Sequence, residues 1–154
     1  KIISDGGIKF SGDIGKAIAA GADAIMMGSI FAGTDESPGK KFKIKGKFFK
    51  QYRGMGSIGA MSSGSANRYF QKNFQDKSKF VPEGVEGRVE YKGSISKIIY
   101  QLQGGLRSSM GYIGAKNLSK IKSQAKFVKI TKAGFYESMV HSVEMTQKTI
   151  NYKL

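Results

Sequence analysis

The chain has 154 residues with no cysteine, one histidine, 21 glycines and a formal net charge of +15. Without cysteine there is no disulfide framework, no cysteine-ligated zinc or iron–sulfur centre and no thiol nucleophile in these residues, and a single histidine excludes a multi-histidine metal site in one chain. The longest apolar runs, at 24–27 and 98–100, are far too short to span a bilayer.

The opening Lys1-Ile2-Ile3-Ser4-Asp5 has no charged-then-apolar leader, so a soluble cytoplasmic protein with no membrane attachment is expected. The absence of an initial Met leads us to expect a fragment or a processed piece. The length suits one domain. Glycine stands out: 21 of 154 is nearly double the usual roughly 7%. The glycines occur singly or in pairs at turn-like places, which suits loops that hold a ligand. The charge comes from 26 basic residues against 11 acidic ones, and only four of the basic residues are Arg (53, 68, 88 and 107). Nucleic-acid readers lean on Arg forks. The lysines are spread over 40–50, 72–79 and 116–132, which favours a solvated basic surface over polyanion binding or the steering of phosphorylated small molecules.

In chain order, Lys1–Ser4 reads as the end of a buried strand and 5–8 as a loop. A helix follows from about Gly12 to Ala20, capped by Ser11 and ended by Gly21. Ala24–Met27 reads as a second, fully buried strand, and Gly28-Ser29 opens a short helical turn through Phe31. Strand, helix, strand implies a parallel βαβ unit. In open α/β sheets and (β/α)₈ barrels, ligands bind at the C-terminal ends of strands, where both glycine loops fall. Free N–H groups at Gly28-Ser29 suit a phosphate, and Asp5 can accept hydrogen bonds from sugar hydroxyls. Two readings stay open on spacing alone: a nucleotide or sugar-phosphate site, or two ordinary tight βα turns.

Alternation of apolar and basic residues around Gly46 over 41–50 predicts a hairpin with one buried face. Residues 52–92 show little periodicity, and a loop of such length is usually functional. A helix capped by Ser94 is expected from there, interrupted at Gly104-Gly105, with another short helix over 118–124 started by Asn117 or Ser119. Phe127–Ile130 resembles a strand, and the weakly patterned tail from Ala133 suits packing on a neighbour. His141 is expected to be a satisfied structural histidine.

The motifs Ser4-Asp5-Gly6-Gly7-Ile8, Met27-Gly28-Ser29, Gly33-Thr34-Asp35-Glu36-Ser37-Pro38-Gly39, Tyr52-Arg53-Gly54-Met55-Gly56-Ser57, Arg68-Tyr69-Phe70-Gln71 and Gly104-Gly105-Leu106-Arg107-Ser108 follow one another in order across nearly the whole chain. In this the sequence resembles the C-terminal part of the inosine-5′-monophosphate dehydrogenases, bacterial type. The resemblance implies an α/β fold: the C-terminal portion of a (β/α)₈ TIM barrel with a long mobile flap after the last barrel strand. It divides the chain into last barrel strands with phosphate loops (1–33), hairpin (40–52), flap (53–92), helices (93–124) and a C-terminal strand with tail (125–154).

It implies NAD-dependent oxidation of inosine monophosphate to xanthosine monophosphate through a covalent cysteine intermediate. That cysteine lies in the upstream remainder of the barrel, so this piece alone is expected to be inactive. Asp5 would hold the ribose hydroxyls and Gly7, Gly28, Ser29 and Tyr52 the phosphate, with Gly6 a further substrate-binding residue. Gly54, Met55 and Gly56 would wall the purine, with Glu83 at its edge. Arg68 and Tyr69 would activate the hydrolytic water. Tyr112 would touch NAD bound next door, and Glu137, Ser138 and Met139 would complete a potassium site on a neighbour within a homotetramer. The alternatives are a guanosine monophosphate reductase, against which Arg68-Tyr69 argues, and a basic nucleic-acid-binding protein.

Overall fold

The structure is a computed structural model that describes residues 1–71, 77–144 and 146. The lysine-bearing stretch at 72–76 and the end of the tail lie outside the described residues. The elements in chain order are β1 (Ile3–Asp5), α1 (Ser11–Ala19), β2 (Ala24–Met26), β3 (Lys41–Ile44), β4 (Lys47–Arg53), α2 (Ile58–Ser62), short 3₁₀ turns at Ser65–Tyr69 and Lys77–Lys79, β5 (Glu86–Glu90), α3 (Ile95–Ile113), α4 (Leu118–Gln124) and α5 (Lys132–Glu137). They form a mixed α/β structure of two compact units. The first is made by residues 1–27 with those from 98 onward, the second by 28–97.

In the first unit β1 and β2 pair in parallel, Ile3 with Ala24 and Asp5 with Met26, and α1 makes the crossover. The βαβ reading of the sequence is thus correct. The expectation that both strands are buried is not: Ile2, Ile3 and Met26 are exposed. Helix α1 packs on β2, and among the described residues no third strand joins this sheet. The start of α1 also differs from expectation. Ser11 is buried inside the helix, and Phe10 is the N-cap. A Phe side chain cannot accept, so the Asp13 carboxylate reaches back to take the N–H groups of Lys9 at 3.0 Å and Phe10 at 2.9 Å. Partial burial pushes the Asp13 carboxyl up. Those two N–H bonds and the charge of Lys16 outweigh this and hold it below the usual carboxylate range.

Helix α3 runs unbroken through Gly104-Gly105, where an interruption was expected. A Cβ on Gly105 would collide with the Ser11 side chain, and one on Gly15 would stand 3.0 Å from Ser109. Small residues therefore bring α1 and α3 backbone to backbone, and that close packing outweighs the poor helix propensity of glycine. Ile14, Ile18, Ile98, Leu102 and Ile121 are buried in this unit, and α4 packs on α1. Each such side chain contributes roughly 1.5–3 kcal/mol by leaving water. Asn117, one of the two expected starters, caps α4 by accepting the Lys120 N–H at 3.0 Å. Phe127–Ile130, read from sequence as a strand, forms none. Phe127, Val128 and Ile130 are exposed, and an apolar run becomes a strand only beside a partner strand.

In the second unit β3, β4 and β5 form an antiparallel sheet in that order. The β3–β4 turn places Lys45 at φ 45° and Gly46 at φ 81°, the double left-handed geometry of a type I′ hairpin. Strand β5 falls inside the stretch that showed no periodicity, and its Val89 pairs with Lys50 of β4. Lys41 Nζ lies 3.5 Å from the Tyr91 ring centroid, so part of the basic surface rests on aromatic rings. None of the described helices is long and apolar enough to cross a membrane.

Candidate active site

The expected site residues fall in both units. In the first, Asp5 ends β1 and is followed by Gly6 (φ 82°) and Gly7 (φ 77°). Glycine, with no Cβ, takes two consecutive left-handed positions without strain, and all three residues are exposed. Gly6 N–H reaches the Met26 carbonyl at 3.4 Å, tying this loop to the end of β2. Tyr112 on α3 is 92% exposed. Glu137, Ser138 and Met139 lie at the end of α5, all exposed. The His141 ring meets the Met139 carbonyl at 2.9 Å and Glu137 Oε1 at 3.2 Å, so it is partnered as expected.

The second unit holds a cavity of about 1060 Å³. Five of the expected residues line it: Gly28, Tyr52, Gly54, Met55 and Arg68. Strand β4 carries Tyr52 to its end, and the 54–57 turn, closed by the Ser57 N–H on the Gly54 carbonyl at 3.0 Å, sets Met55 at the wall. Ser57 then caps α2 through the Ala60 N–H at 3.3 Å. Ser65 Oγ donates to the Met55 carbonyl at 2.6 Å, which brings the 65–69 turn and its exposed Arg68 to the same cavity.

Gly56 is buried, and its carbonyl accepts the N–H groups of both Glu83 and Gly84 at 3.0 Å. A Cβ on Gly56 would stand 3.0 Å from the Tyr69 ring and 3.2 Å from the Glu83 Cβ. Gly56, Tyr69 and Glu83 thus meet at one point. Ser29 sits in the exposed turn after Gly28, closed by the Phe31 N–H on the Gly28 carbonyl at 3.0 Å, and is not among the lining residues.

The sequence reading missed several residues that build this site. Arg53 Nη1 donates to the Gly59 carbonyl at 3.1 Å and Ser63 Oγ at 3.3 Å, holding α2 beside β4. Gln71 clasps Val81, donating to its carbonyl at 3.1 Å and accepting its N–H at 2.9 Å. Glu36 accepts the Ile95 N–H at 2.8 Å and Ser94 Oγ–H at 3.0 Å, sharing with Ser94 the capping of α3. The Ile95 N–H draws the Glu36 carboxyl below its usual range. Lys50, read as one of the outward lysines of the hairpin, is buried. The available signal was its even spacing from Tyr52, which puts both side chains on one face of β4.

Comparison with known proteins now bears on this geometry. The sequence model of the IMP dehydrogenase / GMP reductase domain matches residues 1–141. Three relatives are named inosine-5′-monophosphate dehydrogenase. The chain is 58% identical to that of Chlorobaculum parvum over 153 residues, 98% of this chain and 31% of that protein. It is 56% identical to that of Aquifex aeolicus over 152 residues, 98% of this chain and 30% of the relative. With that of Methanocaldococcus jannaschii it shares 57% identity over 159 aligned positions, 99% of this chain and 32% of the relative. The chain thus spans about a third of the length of these relatives. On a domain match across nearly its whole length, the chain belongs to the IMP dehydrogenase / GMP reductase family.

Proposed function

We propose that this chain supplies the nucleotide-holding and water-activating part of an IMP dehydrogenase. The observation that carries the reading is the convergence of Tyr52, Gly54, Met55 and Arg68 on one cavity, with Tyr69 and Glu83 meeting at Gly56 close by. The domain match and the relatives' names support it. On this reading residues 1–33 belong to the end of a (β/α)₈ barrel, 40–52 to a hairpin, 53–92 to a flap, 93–124 to helices and 125–154 to a tail.

The reaction converts inosine monophosphate, NAD⁺ and water to xanthosine monophosphate, NADH and a proton. A cysteine thiolate outside these residues adds to C2 of the purine and hydride leaves. Water then adds at C2 and the thiolate departs. Asp5 accepts from the ribose hydroxyls beside Gly6. The N–H groups of Gly7, Gly28 and Ser29, with the Tyr52 hydroxyl, hold the phosphate. Gly54, Met55 and Gly56 wall the purine, and Glu83 accepts from its ring N–H. Arg68 and Tyr69 orient the water and draw off its proton as the thioimidate is hydrolysed, a step favoured by a closed, dry site.

NAD, when bound, supplies the hydride acceptor, and the ring of Tyr112 is exposed and open to stack on a dinucleotide. A potassium ion at the tail segment would be held by main-chain carbonyls. Glu137, Ser138 and Met139, at and just past the end of α5, are exposed and would offer their carbonyls, the Met139 carbonyl being the one that also meets the His141 ring at 2.9 Å. Completion of that site and of the dinucleotide site by a neighbour fits a homotetramer in the cytoplasm.

The test is Arg68→Ala in the full-length protein, assayed with inosine monophosphate and NAD⁺. The first-turnover burst of NADH persists while steady-state turnover falls by about 10²–10⁴-fold, the span typical of a positioned proton-transfer group. Normal steady-state turnover overturns the assignment of Arg68. Oxidation of NADPH by guanosine monophosphate, without oxidation of inosine monophosphate, would place the chain on the reductase branch instead.

A further inference from the structure

Lys50 departs from the pattern of its hairpin. Lys41, Lys43, Lys45 and Lys47 are exposed, whereas Lys50 is 4% exposed. An ammonium carries three N–H donors, and three main-chain carbonyls meet this one: Thr34 at 2.6 Å, Asp35 at 3.5 Å, and Ser37. Among the described residues no carboxylate forms an ion pair with it. The lysine is therefore held by carbonyls, and the carbonyls are held by the lysine. Deleting it would leave the buried Thr34 carbonyl, and the part-buried carbonyls of Asp35 and Ser37, without this donor.

Those carbonyls belong to a strap, residues 34–40, that lies on β4. Tyr91 Oη donates to Asp35 Oδ1 at 2.7 Å, and the Gln51 N–H donates to the Lys40 carbonyl at 2.9 Å. At Gly39 the strap lies so close that a Cβ there would collide with the Gln51 carbonyl. Ser37, Pro38, Gly39 and Lys40 all line the cavity that Tyr52 lines. Lys50 and Tyr52 are two residues apart in one strand and so project from the same face.

We infer that Lys50 is a positioning residue of the candidate site: it clamps the strap to β4 and so sets the Ser37–Lys40 wall of the cavity that Tyr52 also lines, for a phosphorylated nucleotide. This rests on reading the cavity as the site of inosine monophosphate. Lys50 acts through the strap, without touching the nucleotide.

The experiment is Lys50→Met in the full-length protein. The expected result is a rise of about tenfold or more in KM for inosine monophosphate, the scale set by one unmatched buried acceptor, with kcat and the KM for NAD⁺ changing far less. In Lys50→Ala, added ethylamine fills the vacated carbonyl cage and lowers that KM in proportion to its occupancy, while leaving the wild type unchanged. A merely structural lysine would lower the melting temperature and leave the KM of the folded enzyme at its wild-type value, and that outcome overturns the proposal. Should neither Lys50 variant fold, Gly39→Ala decides. It lifts the strap from its other end without opening the cage, and an unchanged KM there is equally fatal. A wild-type protein that fails to oxidise inosine monophosphate refutes the reading of the cavity and this inference with it. Normal oxidation with an unchanged KM in the variants refutes only the role of Lys50.

Discussion

Asp23 shows how one side chain ties distant segments of the first unit. Its carboxylate accepts from Lys122 Nζ at 2.6 Å and from the Ile2 N–H at 2.8 Å, joining the start of β1, the approach to β2 and helix α4. The Lys122 bond, then the Ile2 N–H, lowers the Asp23 carboxyl from 3.8 to about 2. A carboxyl depressed by folding binds its proton more weakly in the native chain than in the unfolded one. Its contribution is therefore complete above pH 3.8 and is lost as the pH falls toward about 2. The side-chain carboxyl resonance of Asp23, followed by NMR, is expected to titrate with a midpoint of about 2. Lys122→Met should move that midpoint up toward the ordinary value, and a midpoint unmoved by the substitution would show that the ion pair is not the cause.

Secondary-structure elements were legible where a local device sets them. The Lys45-Gly46 turn, the Asn117 cap of α4 and the end of α1 at Gly21 each depend on residues within a few positions. What escaped the sequence depends on partners far along the chain. Strand β5 exists because β4, more than thirty residues earlier, offers it an edge. Phe127–Ile130 has the composition of a strand and no such edge.

The Gly104-Gly105 pair looked like a helix breaker because propensity was weighed without Ser11, which comes over ninety positions before it and fills the space a side chain would need. Gly105→Val is expected to destabilise the fold by about 1–3 kcal/mol, the usual cost of forcing extra carbons into a packed contact. Ser11→Gly in the same chain should recover part of the loss, because it removes the atoms that collide. Chemical denaturation of the single and double variants measures both, and strictly additive effects would refute the contact. The candidate site divides in the same way. Tyr52, Gly54, Met55 and Arg68 stood out as a motif, whereas Lys50 and Glu36 matter through carbonyls and N–H groups that no motif displays.

On the scale of the whole molecule, the notable quantity is apolar surface left uncovered. Ile2, Ile3 and Met26 are exposed about a two-stranded sheet, and two strands alone are marginal in water. Unpaired strand edges with apolar neighbours invite association with other chains. The 154-residue chain on its own is therefore expected to self-associate with rising concentration despite its charge of +15, and to bind an apolar dye strongly. Sedimentation over a concentration series checks this, and a monomer with a sharp, cooperative thermal transition would contradict it.

The same charge gives the buried lysine a use. Nearly all of the 26 basic residues are lysines, and among the described residues Lys50 is the one that is buried. An acylating reagent would therefore modify the lysines as a population with a single laggard. The lag between Lys50 and the rest is a covalent clock for how often the 34–40 strap lets go of its strand.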